Sequence, residues 1–327
     1  ITFKSSMNFD NYNIDGNLTF TNFSAMDIMP FGIINNISGR SNFKYNLVEK
    51  MANFNGAYNL SNGYFLNQKF HDSKGEFHFA SNNIENNGEF TGSIIGWGEN
   101  SYKWNKIDYS IKMENSKISK CNLFASGALG DSIVISAEKN EPDQIYISKF
   151  EGNLKHSIFF MEPFYINISE SRYQFPELNM MLDHGNLTLK GFYKDLSSFN
   201  VYGNINRIKL NKLYSLLEKR FPITGEILNG FYNIGIGADN NLFFKIENAE
   251  LENGFLDNIP YNKIKINSKY FNNILNIDTL EFESDIGNLD INGNINLTIS
   301  SGKPLFTPHS KIDLEMNFND FEIQKIN

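Results

Sequence analysis

Residues Ile277–Ile299 read IDTLEFESDIGNLDINGNINLTI. Ile277, Leu289, Ile291, Ile295, Leu297 and Ile299 are apolar at odd positions, while Asp278, Asp290, Asn292, Asn294, Asn296 and Thr298 between them are polar. Leu275 and Asn276 extend the pattern upstream, and Leu280 and Phe282 carry it on even positions around Glu281. A period of two means a β-strand with one apolar and one wet face. The stretch holds several carboxylates but no histidine, serine or cysteine placed to do chemistry with them.

The same alternation runs outward in both directions. Phe244 and Ile246 alternate with polar neighbours, as do Ile264 and Ile266, with Lys263 and Lys265 turned the other way. The amino-terminal half behaves likewise at Tyr12, Ile14, Leu18 and Phe20, then Phe43, Tyr45 and Leu47, then Phe54, Tyr58 and Leu60. Asn62-Gly63, Asn87-Gly88, Asn253-Gly254 and Asn292-Gly293 read as hairpin turns or as bulges inside strands.

Helix is scarce. Arg207–Phe221 puts Leu210, Leu213, Tyr214 and Leu217 on one helical face before Pro222 stops it. Met26–Ile34 is a weaker candidate. These segments expose a repeat: GNLTF at Gly16, ISG at Ile37 and NGYF at Asn62 are echoed by GNINR at Gly203, ITG at Ile223 and NGFL at Asn253. The offsets are about 187, 186 and 191 residues. The expected organisation is a strand, short-helix and meander unit over 1–144, and a second over 145–327 with a helix near 207–221.

Composition narrows the function. A net charge of −8 with scattered basic residues argues against nucleic acid as a partner. Cys121 is the only cysteine, which excludes an internal disulfide framework. No run approaches the ~18 apolar residues that would span a bilayer as a helix. The start at ITFKSS and the end at NFNDFEIQKIN read as a piece of a longer chain.

The residues that could carry chemistry read more simply as structure. His71 and His78 are seven apart and would point to opposite faces of one strand. The five histidines form no zinc-binding spacing. Asp183-His184 has no serine in a nucleophile elbow to work with. GIGADN at Gly235 lacks the third glycine of a dinucleotide loop. Glu281 and Glu283 share a strand face, as glycosidase carboxylates would, but that face is the polar one by default. No catalytic residue, metal or cofactor is expected.

The apolar faces remain. Roughly 22–26 short strands at ~4.8 Å spacing make a sheet on the order of 105–125 Å long. A sheet of that size must curl, and curling lengthwise makes a trough with an apolar inner wall. The expected fold is mostly β, a long antiparallel curled sheet forming an elongated open groove with a few short amphipathic helices. The candidate lining is Leu18, Phe20, Phe43, Tyr45, Phe244, Ile246, Ile264, Ile266, Leu275, Ile277, Leu280, Phe282, Leu289, Ile291, Ile295 and Leu297.

The order GNIN, helix, ITGEILNGFYNIGI, ELENGFL and ILNIDTLEFESDIGNLDINGNINL is similar to repeats of the AsmA-like superfamily, of TamB and YhdP type. Gly225–Gly230 matches its opening glycine phrase and Leu280–Ile295 its closing strand pair. GNLTF and ISGRSNFKYNL resemble it more loosely. The resemblance implies a β-groove in the periplasm that carries phospholipids towards the outer membrane. It also implies an inner-membrane anchor from an amino-terminal helix outside this chain, and an Omp85-type outer-membrane barrel as partner. The competing expectations are a structural or adhesive β-repeat with a closed core, and an enzyme with a polar pocket.

Overall fold

A computed structural model of the chain describes residues 2–8, 12–25, 34–65, 68–82, 85–98, 103–141, 143–169, 172–195, 197–217, 222–236, 241–300, 303–305, 307 and 310–320. Its contacts divide it into two units, Ile1–His156 and Ser157–Asn327. The expected junction at 144/145 lies where β10 of the first unit begins.

The first unit holds β1 (Thr2–Asn8), β2 (Asn13–Ala25), β3 (Ile34–Asn46), β4 (Met51–Phe65), β5 (Gln68–Ser81), β6 (Asn86–Trp97), β7 (Trp104–Glu114), β8 (Lys117–Gly127), β9 (Ser132–Glu141) and β10 (Gln144–Leu154). Each pairs antiparallel with the next in sequence. The helix expected over Met26–Ile34 lies outside the described residues, apart from Ile34, which opens β3.

The second unit holds β11 (Ser157–Met161), β12 (Phe164–Ser169), β13 (Arg172–Leu182), β14 (Gly185–Asp195), β15 (Ser198–Lys209), α1 (Leu210–Leu217), β16 (Glu226–Ile236), β17 (Leu242–Leu256), β18 (Ile259–Phe271), β19 (Ile274–Ser284), β20 (Gly287–Asn296), β21 (Thr298–Ser300), β22 (Lys303–Leu305) and β23 (Ile312–Asn319). Strands β13 to β20 pair consecutively and β23 joins β20. Both β11 and β12 pair with β13, and β21–β22 form a separate hairpin. Every one of these pairings is antiparallel.

The four Asn-Gly pairs all lie inside strands, in β4, β6, β17 and β20, rather than at turns. At Gly88 glycine is needed for room: a Cβ would meet the rings of Phe79 and Phe90 at 3.1 and 3.3 Å. The tight turns use other pairs with left-handed backbone, such as Asn115-Ser116 and Asn272-Asn273.

Bulges keep the apolar residues on one side. The register shifts between Ile246 and Ala249 on β17, where Asn248 has φ 50°, and between Ile277 and Leu280 on β19. Each extra residue reverses the alternation. This is why the apolar set moves from Leu275 and Ile277 to Leu280 and Phe282 without leaving its face. Strand β15 runs on through Arg207, Ile208 and Lys209, where a helix was expected to start. Ile208 and Lys209 still pair with Ile227 and Glu226, so α1 begins at Leu210.

Candidate functional site: the apolar face of the sheet

Four rows of residues cross the second unit in register. The first joins Ile227, Leu251, Ile264, Phe282, Leu289 and Phe318 on β16 to β20 and β23. The second joins Ala249, Ile266, Leu280, Ile291 and Met316, and the third Tyr232, Ile246, Ser268, Ile277, Gly293 and Leu314. The fourth joins Ile234, Phe244, Tyr270, Leu275, Ile295 and Ile312. No member of these rows carries a charge.

The opposite face takes the charges. Lys263 bridges to Glu250, Lys265 to Glu281 at 2.8 Å, and Lys269 to Asp278 at 3.4 Å. Such partly exposed pairs contribute little stability singly.

Accessibility separates the rows. On the first, α1 lays Leu210, Leu213 and Tyr214 over a cluster of Leu251, Tyr261, Ile264 and Phe282. Ile264 and Phe282 are only 3% and 5% exposed. They belong to a dry core that a ligand reaches only if α1 moves. Tyr261 donates its hydroxyl to the carbonyl of Thr224, and burial, with Tyr214 beside it, pushes its pKa up to about 12. Beyond α1, Phe244, Ile246, Leu275, Ile277, Ile291 and Ile295 are half-buried, as are Ile266, Leu280 and Leu289 beside the core cluster. Leu297 is half-buried too, but it follows the end of β20, where its N–H donates to Asn273.

The first unit carries an equivalent face. One row runs Leu18, Ser41, Gly56, Phe77, Phe90, Ile111, Cys121, Ala137 and Ile147. Beside it run Phe43, Phe54 and Phe79, the first two with stacked rings 6.0 Å apart, and Tyr45 pairs with Ile14 and Ala52. Leu18, Phe43 and Tyr45 are half-buried. Phe20 sits opposite Gly39 on β2, and its side chain lies outside the described residues.

Sequence reasoning left several members out. Tyr232 donates to the carbonyl of Thr188 at 2.8 Å, and burial raises its pKa. Tyr270 stacks on Phe244 at 5.3 Å. Leu251 and Cys121 also lie on the face. The alternation around Cys121 was the available signal, and burial raises its thiol pKa.

The remaining candidates have structural partners. Asp183 accepts the N–H of Ile158 at 3.0 Å and faces Lys212 at 3.4 Å. Glu281 is held by Lys265, and Glu283 lies opposite Lys263. Among the described residues, no group of three or more His, Cys, Asp or Glu side chains could hold a metal ion. A depression of about 660 Å³ on β3 to β6 is lined by Arg40, Asn42, Asn55, Glu76, His78 and Glu89, of mixed sign, with His78 hydrogen-bonded to Asn55. No protein-family model matches the chain, and no curated protein sequence does either.

Proposed function

We propose that this chain is a segment of a lipid-conducting β-groove whose apolar face carries the acyl chains of phospholipids between membranes. The observation that carries this reading is the set of uncharged rows, held in register across successive strands and half-exposed beyond α1. A 16-carbon chain exposed to water loses on the order of 12 kcal/mol at about 0.8 kcal/mol per methylene. A conduit must therefore offer apolar contact without charged gaps, while the headgroup stays in water. Such a path needs no nucleophile, metal or cofactor. The resemblance to the AsmA-like superfamily supports a periplasmic setting, an inner-membrane anchor elsewhere in the protein, and supply of phospholipid for outer-membrane biogenesis, with an Omp85-type barrel as a partner at the far end.

The dry cluster beneath α1 favours the second reading, a structural or adhesive β-repeat whose whole face is core. Photo-crosslinking residues at Ile266, Ile277 and Leu289 separate the two, with Lys265, Asp278 and Asp290 on the polar side as controls. Phospholipid adducts confined to the apolar positions, strongest at Ile277 and Ile266, are expected for a conduit. Absence of adducts at all six, with the fold intact by circular dichroism, would move the structural repeat to first place.

A further inference from the structure

We infer that α1 is a fixed stop that closes the apolar face along its first row and thereby gauges the length of the acyl chain the face takes; this rests on the lipid reading above. The helix is eight residues long, and Leu210, Leu213 and Tyr214 on its apolar stripe pack on the cluster of Leu251, Tyr261, Ile264 and Phe282.

The start of α1 and the described segment that leads into β16 are both tied to the sheet, which distinguishes a stop from a lid. At its start, the N–H of Leu210 donates to the carbonyl of Gly225 at 2.9 Å, and Lys212 in the first turn pairs with Asp183 at 3.4 Å. On the return to β16, the N–H of Asp257 donates to Pro222, and the N–H of Thr224 donates to Phe255 at 2.8 Å. Thr224 Oγ1 accepts the N–H of Phe255 at 3.0 Å, and Tyr261 donates to the carbonyl of Thr224. Opening this closure would break several hydrogen bonds and expose a packed aromatic cluster.

Under α1, Leu251, Ile264 and Phe282 of the first row are buried at 6%, 3% and 5% exposure. The second and third rows are mostly half-buried; on the edge strand β23 the first, second and fourth rows all end exposed, at Phe318, Met316 and Ile312, whereas on β16 Ile234 of the fourth row is 40% exposed and Ile227 of the first is half-buried. Tyr270 in the fourth row is buried, its ring held against Phe244. A phospholipid has one hydrated end, and α1 covers the first row, so its headgroup sits at the opposite margin, near the fourth row. Its tails then run along the strands towards the first row, each two residues of strand offering about 6.6 Å of wall. They meet α1. A longer tail has nowhere to go, and each methylene that loses apolar contact costs about fourfold in occupancy.

The test is the acyl-length distribution of lipid that copurifies with the full chain, read by mass spectrometry. Ile266→Trp fills the second row just short of α1, and Ile277→Trp fills the third. Both should shift bound lipid to shorter chains, Ile277→Trp more strongly, with longer-to-shorter ratios falling by at least about fourfold. Leu213→Ala thins the stop and should move the ratio the other way, while Asp290→Asn on the polar face should leave it unchanged. Lipid bound in normal amount with the same chain lengths in both tryptophan variants would overturn the gauge and leave the conduit standing. A wild-type chain that binds no lipid would overturn the conduit and the gauge with it.

Discussion

Tyr261 lies across Gly254, its register partner on the neighbouring strand, so that a Cβ on the glycine would stand 2.6 Å from the phenol oxygen. The same hydroxyl also crowds Gly225. One ring thus spans two glycines, joining the strand face to the segment that anchors α1. Gly254→Ala should cost about 1–3 kcal/mol, because the new Cβ would stand 2.0 Å from the Thr224 carbonyl oxygen as well as against the phenol that bonds to it. Urea denaturation followed by tyrosine fluorescence measures this loss.

Alkaline pH should loosen the same region. Tyr261 is pushed up to about 12 from an ordinary value of 10.0, and Tyr214 is raised in the same direction by burial. The unfolded chain then ionises first, so stability is fully present below pH 10 and falls as pH rises towards 12. Thermal melts from pH 8 to 12 should show that decline. Tyr261→Phe should start about 1 kcal/mol less stable, from the lost bond to Thr224, and decline less steeply.

The bulge at Asn248 invites a paired substitution. Its φ of 50° is left-handed, and its N–H is held by Oδ1 of Asn267 at 2.6 Å. Asn248→Gly relieves the backbone and should raise stability by up to roughly 1 kcal/mol, whereas Asn248→Val should lower it by about 1–2 kcal/mol. Equilibrium denaturation of the two variants should bracket the wild type.

Cys121 reports on the apolar face of the first unit without any engineering. It is half-buried and burial raises its thiol pKa, so little thiolate is present at neutral pH. Alkylation by iodoacetamide at pH 8 should be slower than in the urea-unfolded chain, with the gap narrowing as pH rises. A single-chain phospholipid should slow it further if the face takes acyl chains. Equal rates with and without that lipid would count against the first unit as part of the path.

The alternation around Ile277–Ile299 was enough to read antiparallel strands with one apolar side, and even the change from odd to even positions near Asp278 was visible. The Asn-Gly pairs were read as hairpin turns or as bulges inside strands, and they lie inside strands, because glycine has two uses in a sheet. At Asn87-Gly88 and Asn253-Gly254 its missing side chain makes room for neighbouring aromatic groups, a reason set by the partner strand and invisible locally. The start of α1 was placed three residues early because Ile208 suits a strand as well as a helix, and its pairing with Ile227 decides between them.

The candidate site was legible as a face but not as an accessible surface. Ile264 and Phe282 look no different in sequence from Ile277 and Leu275, since all four alternate with polar neighbours. What distinguishes them is α1, which comes from between β15 and β16 and packs over the cluster that holds Ile264 and Phe282 but not Ile277 or Leu275. Period two says which way a side chain points. It says nothing about what lies above it.

Within each unit, nearly every strand pairs with the one just made before it. The interactions that build the sheet are therefore short in sequence, which favours rapid assembly despite the all-β content. Growth can proceed in one direction, each new hairpin docking on an edge that is already complete, much as a zipper closes behind its slider. Such a chain can acquire its native sheet from the amino end onwards while it is being synthesised, before its remaining strands have been delivered.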